Sequence, residues 1–378
     1  MFVLIFLGLI SLVYGYAGWH LITYIPSPWD LSASLLLVLL ASLPLILSRL
    51  RSRQSIARLL DPLSWIAYLS MGFFVVSSLL FLFCDTISLV LGFFYPMDQS
   101  AKTSADILTI TASIGLTGWG FFQARRTPDI IETEISIADL PPALSGLRIV
   151  QLSDLHVGPT IKKPFVQRVV DRVGQLEPDI IVFTGDLADG TTDRLSSDVA
   201  PLAQLQAPLG TYFVTGNHEY YSGVESWTDN AKSLGFEVLI NEGRLLEFGD
   251  SRIALAGVTD YSAGELMPGH SSDPEQALAS VGNADLRILL AHQPRSIEAA
   301  SRANCHLQLS GHTHGGQFIP WKYLIPLQQP FVAGLNKFRD TWIYVHRGTG
   351  YWGPPLRLGA RSEIAVLVCR RTLSSGEH

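Results

Sequence analysis

Five of the ten histidines stand in short polar motifs with Asp, Asn and Gly. Asp154 and His156 flank one leucine, Asp186 and Asp189 share GDLAD at 185–189, and Asn217, His218 and Glu219 form GNHE at 216–219. His292 precedes Gln293 and Pro294, and His312 and His314 lie in GHTHGGQ at 311–317. Imidazole, carboxylate and carboxamide without thiolate make a donor set for Mn, Fe or Zn rather than Ca. Two such ions, roughly 3.5–4 Å apart, acidify water and neutralise phosphoryl oxygens in phosphate-ester hydrolysis. A further imidazole can protonate the leaving oxygen. Any one of these motifs occurs in ordinary turns, so the weight falls on their order and on what precedes each.

A short apolar run precedes each of them. Residues 147–152, 179–184 and 210–215 read as strands that end at Asp154/His156, Asp186 and Asn217/His218. Between the first two, Phe165, Val166, Val169, Val170, Val173 and Leu176 fall on one helical face, and between the second and third a weaker helical stretch carries Val199, Leu202 and Leu205. Strand–helix–strand spacing of about 30 residues marks βαβ units and a parallel sheet, whose carboxyl ends form a ligand crevice. Later strands are expected at 236–240, 244–248, 252–258, 286–291, 307–310, 342–345 and 363–369, with a helix starting at Asp273-Pro274. The expected fold class is α/β, a two-sheet αββα sandwich over 147–371, preceded by a linker or edge strand at 127–146 and followed by a tail at 372–378.

In this order the motifs resemble the calcineurin-like metallophosphoesterase superfamily. GHTHGGQ, with the stretches at 347–350 and 355–359, resembles its bacterial membrane-associated branch. The resemblance implies a dinuclear phosphoric ester hydrolase holding two divalent ions, with Mn, Fe or Zn as candidates. One ion would sit on Asp154, His156 and His314, the other on Asn217, His292 and His312, with Asp186 bridging and a bridging hydroxide attacking phosphorus. His218 would protonate the leaving oxygen, and Asp189 and Glu219 would orient ligands. Two divalent ions, two carboxylates and one hydroxide leave a net positive charge that attracts phosphate. The substrate implied is a phosphorylated small molecule or lipid. A narrower variant is a lipid-linked pyrophosphate or nucleotide-sugar lipid, as in hydrolysis of UDP-diacylglucosamine. A catalytically inactive membrane scaffold is the competing class; loss of a ligand would mark it, and all seven ligand positions are filled.

The front of the chain is of another kind. Residues 1–126 carry seven Lys/Arg and five Asp/Glu, the remainder twenty and twenty-eight. The mean hydropathy of +0.27 comes from apolar segments at 2–25, 31–47, 65–83 and 107–122. A hydrocarbon core of about 30 Å needs about 20 apolar residues; the first and third segments meet this and the other two are short. A membrane domain of about four transmembrane helices is therefore expected at 1–126. Arg49, Arg51, Arg53 and Arg58 follow the second segment and Arg125 and Arg126 the fourth, while 26–30 and 96–106 hold only Lys102. The positive-inside rule then gives a multi-pass protein of the cell membrane with its catalytic domain in the cytoplasm. The first ten residues lack the basic start of a cleaved signal peptide. The acidic remainder argues against nucleic acid as a partner. Cys84, Cys305 and Cys369 are far apart and read as buried, unpaired thiols in a reducing compartment.

Other polar residues receive structural readings. His20 is placed at the membrane interface, Asp85 on a boundary turn, His306 on the far face of a strand, and His270 and His378 in solvent. His346, beside Arg347 and the Gly-Thr-Gly turn, is open between strand end and cleft wall. Pro/Gly-rich stretches near 320–330 and 353–355 read as ordered rim loops with Trp321, Tyr323 and Trp352 as apolar contacts.

Overall fold

The computed structural model describes residues 2–50, 57–95 and 98–372. Arg51 and Arg53 of the arginine cluster and His378 lie outside the described residues. The chain forms two compact units: Met1–Arg125 with Gly353–Leu356, and Arg126–Trp352 with Arg357–His378.

The first unit consists of α1 (Phe2–Ile22), α2 (Trp29–Leu50), α3 (Asp61–Gly92) and α4 (Gln99–Arg125). Among the described residues, three stretches are long and apolar enough to cross a membrane: Trp29–Leu47, Asp61–Gly92 and Gln99–Arg125. The third apolar segment and its continuation are one 32-residue helix with Pro62 in its first turn, where a missing N–H costs nothing. At 1.5 Å per residue it spans about 48 Å, more than the hydrocarbon thickness. Leu356 of the Gly353–Leu356 strap lies against Gly72 of α3.

Two expectations are corrected here. Asp85 sits within α3 rather than on a boundary turn, and His20 is not a solitary interface residue. His20 Nε2 lies 3.2 Å from Asp85 Oδ2, and its Nδ1 3.5 Å from Asp106 Oδ1 on α4. The imidazole stacks on Phe81 at 4.0 Å, and the hydroxyls of Tyr16 and Tyr24 donate to Asp85 and Asp106. Ionisable groups on apolar helices are costly alone and gather where they can compensate one another. Removing the imidazole leaves two facing carboxylates, whereas Asp85→Asn keeps an acceptor for Tyr16. His20→Ala should therefore lower the thermal midpoint of the detergent-solubilised chain further than Asp85→Asn. Equal midpoints would mean that the imidazole does not join the helices.

The second unit has twelve strands: β1 (Asp129–Ala138), β2 (Arg148–Leu152), β3 (Ile180–Thr184), β4 (Thr211–Val214), β5 (Glu237–Val238), β6 (Glu242–Phe248), β7 (Ser251–Gly257), β8 (Leu286–Leu290), β9 (Leu307–Ser310), β10 (Gly334–Phe338), β11 (Thr341–Val345) and β12 (Glu363–Thr372). They form two six-stranded sheets ordered β1-β12-β2-β3-β4-β5 and β10-β11-β9-β8-β7-β6. Strands β2 to β5 run parallel, as do β7, β8, β9 and β11. β2, β3 and β4 are buried nearly throughout, which is why their sequences are mainly apolar runs, Gln151 apart, instead of alternating ones. Helix α5 (Lys163–Val173) covers them with Phe165, Val166, Val169, Val170 and Val173, each contributing about 1.5–3 kcal/mol by burial. Between the sheets, Ile149, Val182 and Val214 meet Leu255, Ile288 and Leu309.

The segment at 127–146 supplies the edge strand β1, parallel to β12, with Ile135 and Ile137 buried. β10 was not anticipated; its Gly-Leu-Asn-Lys-Phe sequence is too polar to stand out and is held by antiparallel pairing to β11. Gln151 is the polar exception inside β2. Its Nε2 donates to Thr184 Oγ1 at 2.8 Å and to the Ser310 carbonyl at 3.0 Å, tying the strand ends of the two sheets together.

Candidate metal centre

The turns that follow β2, β3, β4, β8 and β9 bring their polar residues to one place. Ligand atoms of Asp154, His156 and His314 lie within 4.8 Å of one another, and those of Asp186, His292 and His312 do the same. Asp186 stands between the groups, its Oδ2 being 3.7 Å from His156 Nε2 and 3.2 Å from His292 Nε2. Asn217 Oδ1 is 3.1 Å from His312 Nδ1, which is itself 3.2 Å from His292 Nε2. The Nε2 atoms of His156 and His314 face each other at 3.0 Å. Lone pairs aimed at one another repel unless a proton or a cation lies between them. Separations of 3.0–3.2 Å are also what two donors on one ion, each about 2.1 Å from it, subtend near a right angle.

The remaining partners fix which nitrogen faces inward. His292 Nδ1 donates to the Thr184 carbonyl at 2.7 Å, leaving Nε2 toward Asp186. Asp189 Oδ1 lies 2.9 Å from His156 Nδ1 and 2.7 Å from His218 Nδ1. One carboxylate thus orients both rings, and His218 Nε2 is left 3.9 Å from Asp186 Oδ2. Asp154 accepts the His312 N–H at 2.9 and 3.1 Å, and Asp186 accepts the His218 N–H at 2.9 Å. Glu219 accepts three buried N–H groups, from Gly216 at 2.7 Å, Leu187 at 2.8 Å and Asp186 at 3.0 Å, and so joins the turns after β3 and β4.

Charge follows this arrangement. Burial drives the Asp154 carboxyl upward, and the neighbouring Asp186 charge adds to it. Burial opposes the charge on Asp186 too, but His292 and His218 hold its pKa well below the usual range. Asp186 faces both His292 and His218 and raises both against burial, His218 to about 10; on His292 Nε2 a cation would take the place of that proton. His312 is lowered to about 3 by burial and by His292, and His314 falls well below its ordinary value through burial and His156. These last two imidazoles are neutral and offer lone pairs.

Backbone strain concentrates in the same turns. Asp154, His156, Asp186, His312 and His314 have φ between 50° and 70°, the left-handed region. A non-glycine residue there costs on the order of 1–3 kcal/mol. Gly185, at φ 88°, packs so closely that a Cβ would come within 2.5 Å of the Gly216 nitrogen. Both glycines are needed for the turns after β3 and β4 to approach.

Two residues receive no role from the sequence: Arg357, within the stretch 355–359, and Asp260. Arg357 is buried, and its guanidinium donates to the carbonyls of His314 at 3.0 Å, Arg347 at 2.6 Å and Gly348 at 3.3 Å, and to that of Gly350. It braces the loop that carries His314. Asp260 is fully buried just past β7 and accepts both a bifurcated bond from Gln293 at 3.0 and 3.1 Å and the Ser262 N–H at 2.8 Å. It holds the residue after His292. Its place after a strand end was the signal available. His346 lies in the interior, its Nδ1 accepting the Gly348 N–H at 2.9 Å, so it is no part of a cleft wall. His306 Nδ1 accepts from the Arg287 N–H, and half-buried His270 meets the Tyr220 hydroxyl. Cys305 and Cys369 are buried free thiols; Cys84 is half-buried and unpaired.

The sequence profile of the calcineurin-like phosphoesterases matches residues 147–316. The "Transmembrane protein with metallophosphoesterase domain" of Danio rerio is 38% identical over 324 residues, spanning 82% of this chain and 74% of that one. The chain belongs to the calcineurin-like metallophosphoesterases. The Bos taurus protein of the same name is 42% identical over 284 residues, 72% of this chain and 64% of that one. An "Uncharacterized metallophosphoesterase" of Helicobacter pylori is 36% identical over 303 residues, 80% of each chain. The relatives of this metallophosphoesterase are thus vertebrate as well as bacterial.

Glu219 offers a test of how the turns are held. Glu219→Ala strands three buried N–H groups and should cost about 3 kcal/mol or more in chemical denaturation, whereas Glu219→Gln, which keeps one acceptor oxygen, should cost about half as much. Equal costs would place the stabilisation elsewhere.

Proposed function

We propose that this metallophosphoesterase is a multi-pass membrane enzyme that hydrolyses a phosphate ester at a site for two divalent ions. One observation carries the reading: Asp186 of the second ligand group turns its Oδ2 toward His156 of the first as well as toward His292. Asp154, His156 and His314 would hold one ion and Asn217, His292 and His312 the other, with Asp186 common to both. Two ions bound there would acidify water and offset phosphoryl charge. The chain's own groups do the rest. Asp189 fixes His218 with Nε2 toward the site, and the charges of Asp186 and Asp189 keep that imidazole protonated against its burial. His218 is half-buried at the mouth, where it can give its proton to a leaving oxygen. Asp189 and Glu219 touch no reacting atom and act by holding ligands and turns in place.

The test is hydrolysis by the purified full chain, reloaded with Mn or Zn, alongside metal analysis. Asp186→Asn should lose both metal and turnover on every substrate. His218→Asn should keep its metal and lose on the order of 10²- to 10⁴-fold on an alkyl phosphate, but much less on p-nitrophenyl phosphate, whose leaving group needs little protonation. No metal-dependent hydrolysis of either ester would refute the reading, and metal loss from the His218 variant would refute its role.

The arginines at 49–58 and 125–126 support a cytoplasmic catalytic unit. Reporter fusions made just after Arg126 in cells should report the inside; consistent outside labelling would reverse the topology.

A further inference from the structure

Residues 319–327 read Ile-Pro-Trp-Lys-Tyr-Leu-Ile-Pro-Leu and contain no acid. The helical turn Trp321–Leu324 and the following turn Ile325–Leu327 bury none of their residues. Ile319, Trp321, Tyr323, Leu324 and Leu327 are all exposed, Leu327 at 81%. Water-exposed large apolar side chains are ordinary when scattered, but five within nine residues form a patch that needs a partner.

This segment is built in. Gly316, at φ 83°, lies so near Lys322 that a Cβ would meet its backbone, which seats the turn directly on the His314–Gly316 loop. Before it, the Gln317 amide donates to the Trp352 carbonyl and accepts the Trp352 N–H, both at 2.9 Å. After it, Gln329 donates to Gln293, next to His292, at 3.0 Å. The apolar turn is therefore pinned at both ends to loops that carry candidate ligands. Trp352, half exposed, has its ring 6.0 Å from that of His218. It is followed by the Gly353–Leu356 strap that packs with the apolar helices.

We propose that residues 319–327 seat in the interfacial layer of the bilayer and present the mouth of the site to phosphoesters borne on membrane lipid. Trp and Tyr with a single neighbouring Lys are the side chains that settle at the headgroup level, apolar body inward and polar tip outward. The bilayer is the occupant because the same polypeptide carries three membrane-length helices, and the strap that clusters with them is one peptide bond from Trp352. The contact with lipid stands on these observations alone; its role in catalysis rests on the phosphoesterase reading.

The test uses the full chain in nanodiscs, with Cys84 replaced by Ala and a bimane label on Leu327→Cys or, as control, on exposed Ser226→Cys. Nitroxide-bearing lipid should quench the label at 327 several-fold more than at 226. Equal access to water-soluble iodide at both, or protection of 327 from both quenchers by a second copy or another protein, would overturn the lipid contact. For the role, two diesters with the same leaving group are compared, methyl and hexadecyl p-nitrophenyl phosphate. The wild type should prefer the bilayer-anchored ester by about tenfold or more in kcat/KM, and Leu324→Ser with Leu327→Ser should erase most of that preference while leaving the methyl ester within about twofold. An unchanged preference, or equal loss on both esters, would overturn the role. Activity on neither diester in a wild type that still hydrolyses p-nitrophenyl phosphate would overturn the role while leaving the phosphoesterase reading intact, and the quenching would still decide the lipid contact.

Discussion

Two carboxylates, Asp154 and Asp186, are buried where the strand ends of two sheets converge, and most of the second unit answers to that placement. A charge removed from water costs several kcal/mol unless something compensates it. Here the compensation is local: backbone N–H groups of His312 and His218, and imidazoles from turns on both sheets. Cations between those imidazoles would complete it. The sheets must then end together, which Gln151 secures by bonding to both, and the turns must approach at backbone distance, which Gly185 and Gly216 permit. Burial of the site and the chemistry proposed for it are one condition.

Much of this was legible because it is local. A buried parallel strand reads as an apolar run, a turn at its end exposes whatever follows, and α5 shows its face by spacing. Asp154, His156, Asp186, Asn217, His292, His312 and His314 could therefore be found one by one and placed at strand ends. The rest depends on contacts between distant residues. Nothing near Arg357 announces that it will bind the His314 carbonyl, and β10 acquires its strand character from β11. The Asp85–His20–Asp106 chain joins three helices, so His20 and Asp85 taken alone looked like interface groups.

Asp189 deserves a place beside the ligands because of how it is shared. A single oxygen accepts from His156 and from His218. The ring proposed to bind a cation and the ring proposed to give a proton are thus coupled through one carboxylate. A change at either shifts the charge felt by the other, so single substitutions at these three residues will not add.

The left-handed backbone at Asp154, His156, Asp186, His312 and His314 has a consequence for how such a site persists through mutation. At these φ values glycine is at ease and the present residues are not. Replacing His312 by glycine would relieve strain and keep the backbone N–H that Asp154 accepts while discarding the imidazole, so a descendant without the proposed chemistry can be as durable as its parent or more so. Stability alone therefore exerts little force to retain that side chain, and screens that select for folded or abundant protein would drift toward silent versions of the site. Selection on the proposed turnover is what would hold it in place.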